Sequence, residues 1–257
     1  MFIGREKELS ALEGLYRSDK FEFVVIYGRR RVGKTALINH FIDDKKSIYF
    51  MGVESNEKQN LENLSRSIME YNNDMPEDTY FASYQAALEY VFKISEKERV
   101  ILTIDEYPYV ARESKSLAST LQLLIDKYKD TSRLMLILCG SSMSYMEDHV
   151  LAYKAPLYGR RTAQMKILPF DFGECCRCFK KLSDEDKALI YGIVGGTPQY
   201  LLQMNDNLSI EVNIKNTFLN PMSFLYEEPI NLLKQGKRTG NLYGDHYRDS
   251  DGTLPYV

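Results

Sequence analysis

Glu22-Phe23-Val24-Val25-Ile26-Tyr27-Gly28-Arg29-Arg30-Arg31-Val32-Gly33-Lys34-Thr35-Ala36-Leu37-Ile38-Asn39-His40-Phe41 joins an apolar run, a basic loop bounded by glycines and an apolar helical repeat. Its first part reads as a strand buried on both faces. Gly28 to Thr35 matches Gly-x4-Gly-Lys-Ser/Thr, the spacing of a phosphate-binding P-loop. Leu37, Ile38 and Phe41 then recur at helical spacing. Strand, loop and helix in this order are what such a loop requires. The glycines let the backbone curl, so that the N–H groups of Gly28 to Ala36 and the helix N-terminus face an anion. Lys34 would reach the β and γ phosphates of a nucleotide, and the Thr35 hydroxyl would bind Mg2+. A chance match in a chain of this length has odds on the order of one in a hundred.

The metal needs a second anchor, and Val100-Ile101-Leu102-Thr103-Ile104-Asp105-Glu106 supplies it. An apolar strand ends there in two acids: Asp105 would hold Mg2+ through water, and Glu106 would orient and deprotonate an attacking water. Without the P-loop the same pattern is an ordinary solvated strand end. A third apolar run, Leu134–Cys139, leads into Gly140-Ser141-Ser142. Parallel strands present their carboxyl ends at the ligand edge of a sheet, so these hydroxyls could meet the γ-phosphate or the water. Ser142 reads equally well as a cap for the next helix. Arg160-Arg161, behind Gly159, could neutralise charge on the transferred phosphoryl group, in cis or in a neighbouring subunit, or be plain surface arginines.

Outward from these motifs, strands are expected at Glu22–Tyr27, Ser47–Met51, Val100–Ile104, Leu134–Cys139 and Ala163–Leu168, all read as buried on both faces. Amphipathic helices fall between them, over Glu6–Tyr16, around Leu61 to Tyr71, around Tyr84 to Val91, and around Leu117 to Tyr128. The alternation predicts an α/β fold with a parallel sheet. After Pro169 the pattern becomes helical. Ser183 before Asp184, Glu185 and Asp186 marks an N-cap, Gly195-Gly196 a helix end, and further helices are expected at Pro198–Gln203, Ile210–Phe218 and Pro229–Lys234. The domains expected are a P-loop core over 1–174, a helical lid over 175–235 and an irregular tail over 236–257.

Composition sets the outer bounds. The 257 residues are 44% hydrophobic and 27% charged, ordinary for a globular chain, which excludes disorder and disulfide-stapled miniproteins. The net charge of −3 argues against a surface built mainly for nucleic acid. Arg29 to Arg31 would attract nucleic acid too, but inside a P-loop a nucleotide is their natural anion. No apolar run approaches the roughly 20 residues that span a bilayer, and the N-terminus lacks a signal peptide, so a soluble, cytoplasmic protein without membrane contact is expected. Cys175, Cys176 and Cys178 suit neither a disulfide framework nor a zinc site and read as free thiols opening an amphipathic stretch that ends at Phe179 and Leu182.

Six segments in order, Phe2-Ile3-Gly4-Arg5-Glu6-Lys7-Glu8-Leu9, the P-loop, Ile104 to Tyr109, Cys139 to Met143, Pro156 to Arg161 and Gly195-Gly196-Thr197-Pro198-Gln199-Tyr200, together resemble the archaeal-type ATPase family of the AAA+/STAND P-loop NTPases. The resemblance implies a three-layer αβα sandwich with five parallel strands, the Asp105 strand not adjacent to the P-loop strand, and a small helical lid. It implies ATP or ADP with Mg2+ as cofactors. Phe2 to Arg5, including Gly4, would lie near adenine and ribose, Ser141 or Ser142 would take the sensor position, Arg160 or Arg161 that of an arginine finger, and Pro198 would cover base or phosphates from the lid. Similar proteins continue into a winged-helix segment and a further domain, so this chain reads as truncated or frameshifted near residue 236. DNA or protein partners would be met through that missing part, and assembly into homo-oligomers is open.

Three functions compete at this level. Mg2+-dependent ATP binding and hydrolysis, coupled to lid movement as a switch or small motor, uses every motif. A regulator that binds ATP with negligible turnover and acts on DNA or a protein partner is the alternative. A small-molecule kinase would not call for Glu106. The absence of an Asn-Lys-x-Asp stretch leans toward adenine over guanine.

Overall fold

The structure, a computed structural model, describes residues 2–72 and 80–231. Five strands, β1 (Glu22–Tyr27), β2 (Ser47–Met51), β3 (Val100–Asp105), β4 (Leu134–Gly140) and β5 (Ala163–Lys166), form one parallel sheet in the order β2-β3-β4-β1-β5. The P-loop strand and the Asp105 strand are therefore separated by β4, as the family resemblance implied.

Every residue of β1, β3 and β4 is buried, because each of these strands has a neighbour on both sides and helices on both faces. Successive side chains go to opposite layers. Phe23, Val25 and Tyr27 join one core with Leu102, Ile104, Leu136 and Leu138, whereas Val24 and Ile26 join another with Ile101, Met135 and Ile137. The first core is covered by α3 (Glu57–Tyr71), α4 (Tyr84–Ile94), α5 (Tyr107–Glu113) and α6 (Leu117–Tyr128), the second by α1 (Glu6–Arg17) and α2 (Lys34–Ile42). Truncating a fully buried ring such as Phe23 to Ala would cost about 3–5 kcal/mol.

Four expectations need correction. β2 and β5 are not buried on both faces: they are the sheet edges, β2 alternates in burial and no residue of β5 is fully buried. β5 also stops at Lys166, leaving Leu168 exposed. α5 was not expected, yet Pro108 in its first turn is well suited to a helix start. The cysteines close a helix and do not open one: α8 (Phe172–Cys178) starts at Asp171, where Asp171 and Glu174 form a reciprocal capping box.

After β4 come the short α7 (Met143–Met146) and a π-helical turn, Glu147–Leu151. Beyond residue 170 lie α8, α9 (Asp184–Val194), α10 (Pro198–Leu201) and α11 (Ile210–Thr217). Ser183 caps α9 by accepting from the Asp186 N–H at 3.1 Å, and the chain leaves that helix at Gly195. These helices bury a separate core of Phe170, Cys175, Phe179, Ile190, Val194 and Leu201. The line expected between residues 174 and 175 thus falls within α8. A last helical turn begins at residue 228, and its expected continuation to Lys234, with the tail over 236–257, lies outside the described residues.

Candidate functional site

β1 ends at Tyr27 opposite Gly140, the last residue of β4, so Gly28 and Ser141 leave the sheet side by side. Two glycines shape the loop. A side chain on Gly28 would strike the Ile167 carbonyl, where the end of β5 passes, and Gly33 has a φ of 90° at the position preceding α2. Lys34, only 5% exposed, folds over the loop and donates from Nζ to the carbonyls of Gly28 and Arg29 at 3.0 and 2.9 Å.

Asp105 is fully buried at the end of β3. Its Oδ2 accepts from the Thr35 hydroxyl at 2.7 Å and the Tyr49 hydroxyl at 2.8 Å, and its Oδ1 accepts the Glu106 N–H at 2.8 Å. All three donors are neutral. A buried carboxylate with neutral partners suits a cation, and Thr35 Oγ1 beside Asp105 is an oxygen pair that could hold a hard divalent ion such as Mg2+. Among the described residues no cluster of three or more His, Cys, Asp or Glu offers an all-protein cage. Burial pushes the Tyr49 phenol above its ordinary pKa, with Asp105 adding to the shift, and burial likewise lifts the Cys139 thiol well up. Tyr49 and Cys139 were missed as site residues. They lie on strands β2 and β4, which flank the Asp105 strand; nothing in the local sequence marks Tyr49, and Cys139 stands out only as the end of an apolar run and the start of the Cys139–Met143 segment.

Glu106 turns the chain out of β3 in a left-handed conformation, φ 48°, that few non-glycine residues adopt. Its Oε2 accepts both the N–H and the hydroxyl of Ser141, at 3.2 and 2.9 Å. Ser142 precedes α7, but its hydroxyl makes no capping bond. Tyr109, one turn on, accepts from the Arg30 guanidinium at 2.9 Å, whereas Tyr107 packs into the core.

Arg5, 5% exposed, donates from Nη2 to the carbonyls of Val32 and Leu168 at 3.0 and 2.5 Å and lies over the Phe170 ring, 4.7 Å from its centroid. It ties the start of the chain to the P-loop, to the end of β5 and to the helices beyond. Beside it a cavity of about 250 Å3 is bounded by Phe2, Arg5, Ala36, Phe179, Pro198 and Leu201. Pro198 lies close to Gly33.

The structure brings Gly4, Arg5, Gly28 to Ala36, Asp105, Glu106, Ser141, Ser142 and Pro198 to the carboxyl edge of the sheet. It does not bring Arg160 or Arg161 there. Thr162 is bonded to Phe23, its N–H donating to the Phe23 carbonyl at 2.8 Å, which is four residues, or about 13 Å, before Tyr27. Arg160 is engaged by Asp126 through Nε and Nη2 at 2.9 and 2.7 Å.

A glycine-shaped loop between strand and helix, a buried acid two strands away and a seryl strand end between them define a P-loop NTPase. The chain belongs to the family of ATPase domains found predominantly in Archaea, which it matches over residues 2–204. It is similar to an uncharacterized protein of Methanocaldococcus jannaschii, 34% identical over 244 residues covering 89% of this chain and 52% of the relative. The chain thus spans about half the length of that relative. A second protein of that organism, named as an uncharacterized ATP-binding protein, is 23% identical over 261 residues, covering 80% of this chain and 70% of the other. The fold is shared with the Walker-type ATPase of Pyrococcus abyssi, with a TM-score of 0.70 at 19% identity over 94% of this chain and 77% of that one. No helix among the described residues is long and apolar enough to cross a membrane.

Proposed function

We propose that the chain binds ATP at the P-loop with Mg2+ and hydrolyses it. The observation that carries this reading is the 2.7 Å contact between Thr35 and buried Asp105, with Glu106 next in sequence. Lys34 and the amides of Gly28 to Ala36, with Arg29 and Arg30 adding positive charge, hold the phosphates. Arg5, Ala36 and Pro198 border the cavity that receives the base, and Gly4 sets the chain beside it against Phe170 and Glu174. Thr35 and Asp105 hold Mg2+, which supplies charge neutralisation at the phosphates when bound. Glu106 orients a water and takes its proton, while Ser141 sets where that carboxylate sits. The core up to about residue 174 does the chemistry, and the helical part that follows it, described as far as residue 231 and joined to the P-loop through Arg5, Arg31 and Pro198, responds to the nucleotide as a lid.

Phosphate release by the native chain, absent in Lys34→Ala and reduced about 100-fold or more in Glu106→Gln, is the expected result. Equal release by native and Glu106→Gln chains removes Glu106 from the reaction. The Glu106–Ser141 contact also favours a second reading, a nucleotide-dependent regulator of a DNA or protein partner with negligible turnover, because the carboxylate is already engaged. ADP retained on the purified chain without phosphate release decides for it.

A further inference from the structure

The P-loop is joined to the end of the described chain through a single side chain. Arg31 has left-handed backbone, φ 71°. It donates from Nη1 to the Tyr200 hydroxyl at 3.3 Å, meets the Glu228 carboxylate, and lies over the Phe224 ring at 4.7 Å from the centroid. The Tyr200 hydroxyl in turn donates to Glu228 Oε1 at 2.6 Å. Glu228 is 4% exposed.

A carboxylate this buried is costly unless a cation and hydrogen-bond donors meet it, and Arg31 and Tyr200 supply both. If a bound polyphosphate drew Arg31 away, Glu228 would stay buried without its cation. The planar guanidinium is also held by the aromatic face of Phe224, a contact an ammonium makes less well. Arg31 is therefore committed to Glu228, and the left-handed turn just before Val32 and Gly33 is fixed from nearly 200 positions away in sequence.

We propose that Glu228 is a positioning residue of the phosphate site: by holding Arg31 it sets the shape of the P-loop, so that ATP binding and the docking of residues 219–231 form one coupled equilibrium. This rests on the reading of the P-loop as an ATP site. Linkage makes the coupling reciprocal, each event favouring the other by the same factor.

The test uses the full chain with Glu228→Gln, Arg31→Gln and the double variant, titrated with ATP and Mg2+ by calorimetry. Each single variant should weaken ATP binding about five- to tenfold, the double no further, and Arg31→Lys should not restore it. ATP should also protect residues 219–231 from hydrogen exchange in the native chain and not in Glu228→Gln. Should Glu228→Gln fail to fold, Tyr200→Phe, which removes only a hydroxyl, takes its place with the same direction expected. ATP binding in Glu228→Gln as tight as in the native chain, or tighter, overturns the proposal, the second result making Arg31 a phosphate ligand that Glu228 restrains. A native chain that binds ATP no better than Lys34→Ala overturns the ATP reading itself, whereas native binding with unaffected Glu228→Gln overturns only the coupling.

Discussion

The Glu106 carboxylate accepts the N–H and the hydroxyl of Ser141 at once, so the acid that follows buried Asp105 is held by the end of the neighbouring strand. To act on water at the phosphates, Glu106 must loosen that hold. Removing the hydroxyl takes away one hydrogen bond to a charged acceptor, worth about 1.5–3 kcal/mol, and leaves the N–H. Ser141→Ala is expected to raise the steady rate of phosphate release several-fold. A slower Ser141→Ala enzyme would mean that Ser141 aids the water and does not restrain the acid.

Asp105 is expected to matter through the metal. With Asn at 105 the Thr35 and Tyr49 hydroxyls keep an oxygen acceptor but the site loses its charge. ATP affinity of Asp105→Asn should then be nearly the same with Mg2+ as with a chelator, while the native chain binds more tightly with Mg2+. Calorimetric titrations in both conditions give the comparison, and an undiminished Mg2+ effect in Asp105→Asn would assign the metal elsewhere.

Four phenols should resist titration. Burial raises the pKa of Tyr49, Tyr71, Tyr84 and Tyr107, with Asp105 and Glu98 adding to the shift at the first two. Because their folded values lie above the unfolded value of about 10, the stability they contribute is complete below about pH 10 and is lost as pH rises through the folded values. Phenolate absorbance should therefore show these groups ionising together with loss of helical circular dichroism. Titration of all the tyrosines near pH 10 with the fold intact would contradict the assigned burial.

Arg160 should not contribute to hydrolysis within one chain. Its fork on Asp126 is partly exposed, so Arg160→Ala is expected to lower stability by at most about 1 kcal/mol. Phosphate release in dilute solution should equal that of the native chain. A native rate that climbs with protein concentration, and a variant rate that does not, would place this arginine in the site of a second copy.

The sheet was legible because its central strands are buried on both faces and so appear as unbroken apolar runs, Val24 to Tyr27 and Leu134 to Cys139 among them. The edge strands misled because Ile48 and Phe50 on one face of β2, with Tyr49 and Met51 on the other, run on as an apolar stretch, and the apolar Ala163 and Met165 of β5 lead into Ile167 and Leu168. Motif residues close in sequence, Gly28 to Thr35 and Asp105-Glu106, could be placed before any coordinates. Contacts such as Tyr49 with Asp105, Ser141 with Glu106 and Arg31 with Glu228 could not, because they depend on strand order and on where the later helices pack. Arg160 and Arg161 show the converse: their place in the order of motifs is clear, but their distance from the P-loop follows from the pairing of Thr162 with Phe23.

The order of the strands bears on how this chain emerges from the ribosome. β1 is made first, yet its partner β4 follows more than a hundred residues later, and β5 later still. At about 5–20 residues per second, the stretch Glu22–Tyr27 waits on the order of ten seconds with its sticky edges uncovered. Pairing of Glu22–Tyr27 on both sides only once synthesis has passed residue 166 is the corollary of putting the oldest strand between the youngest two.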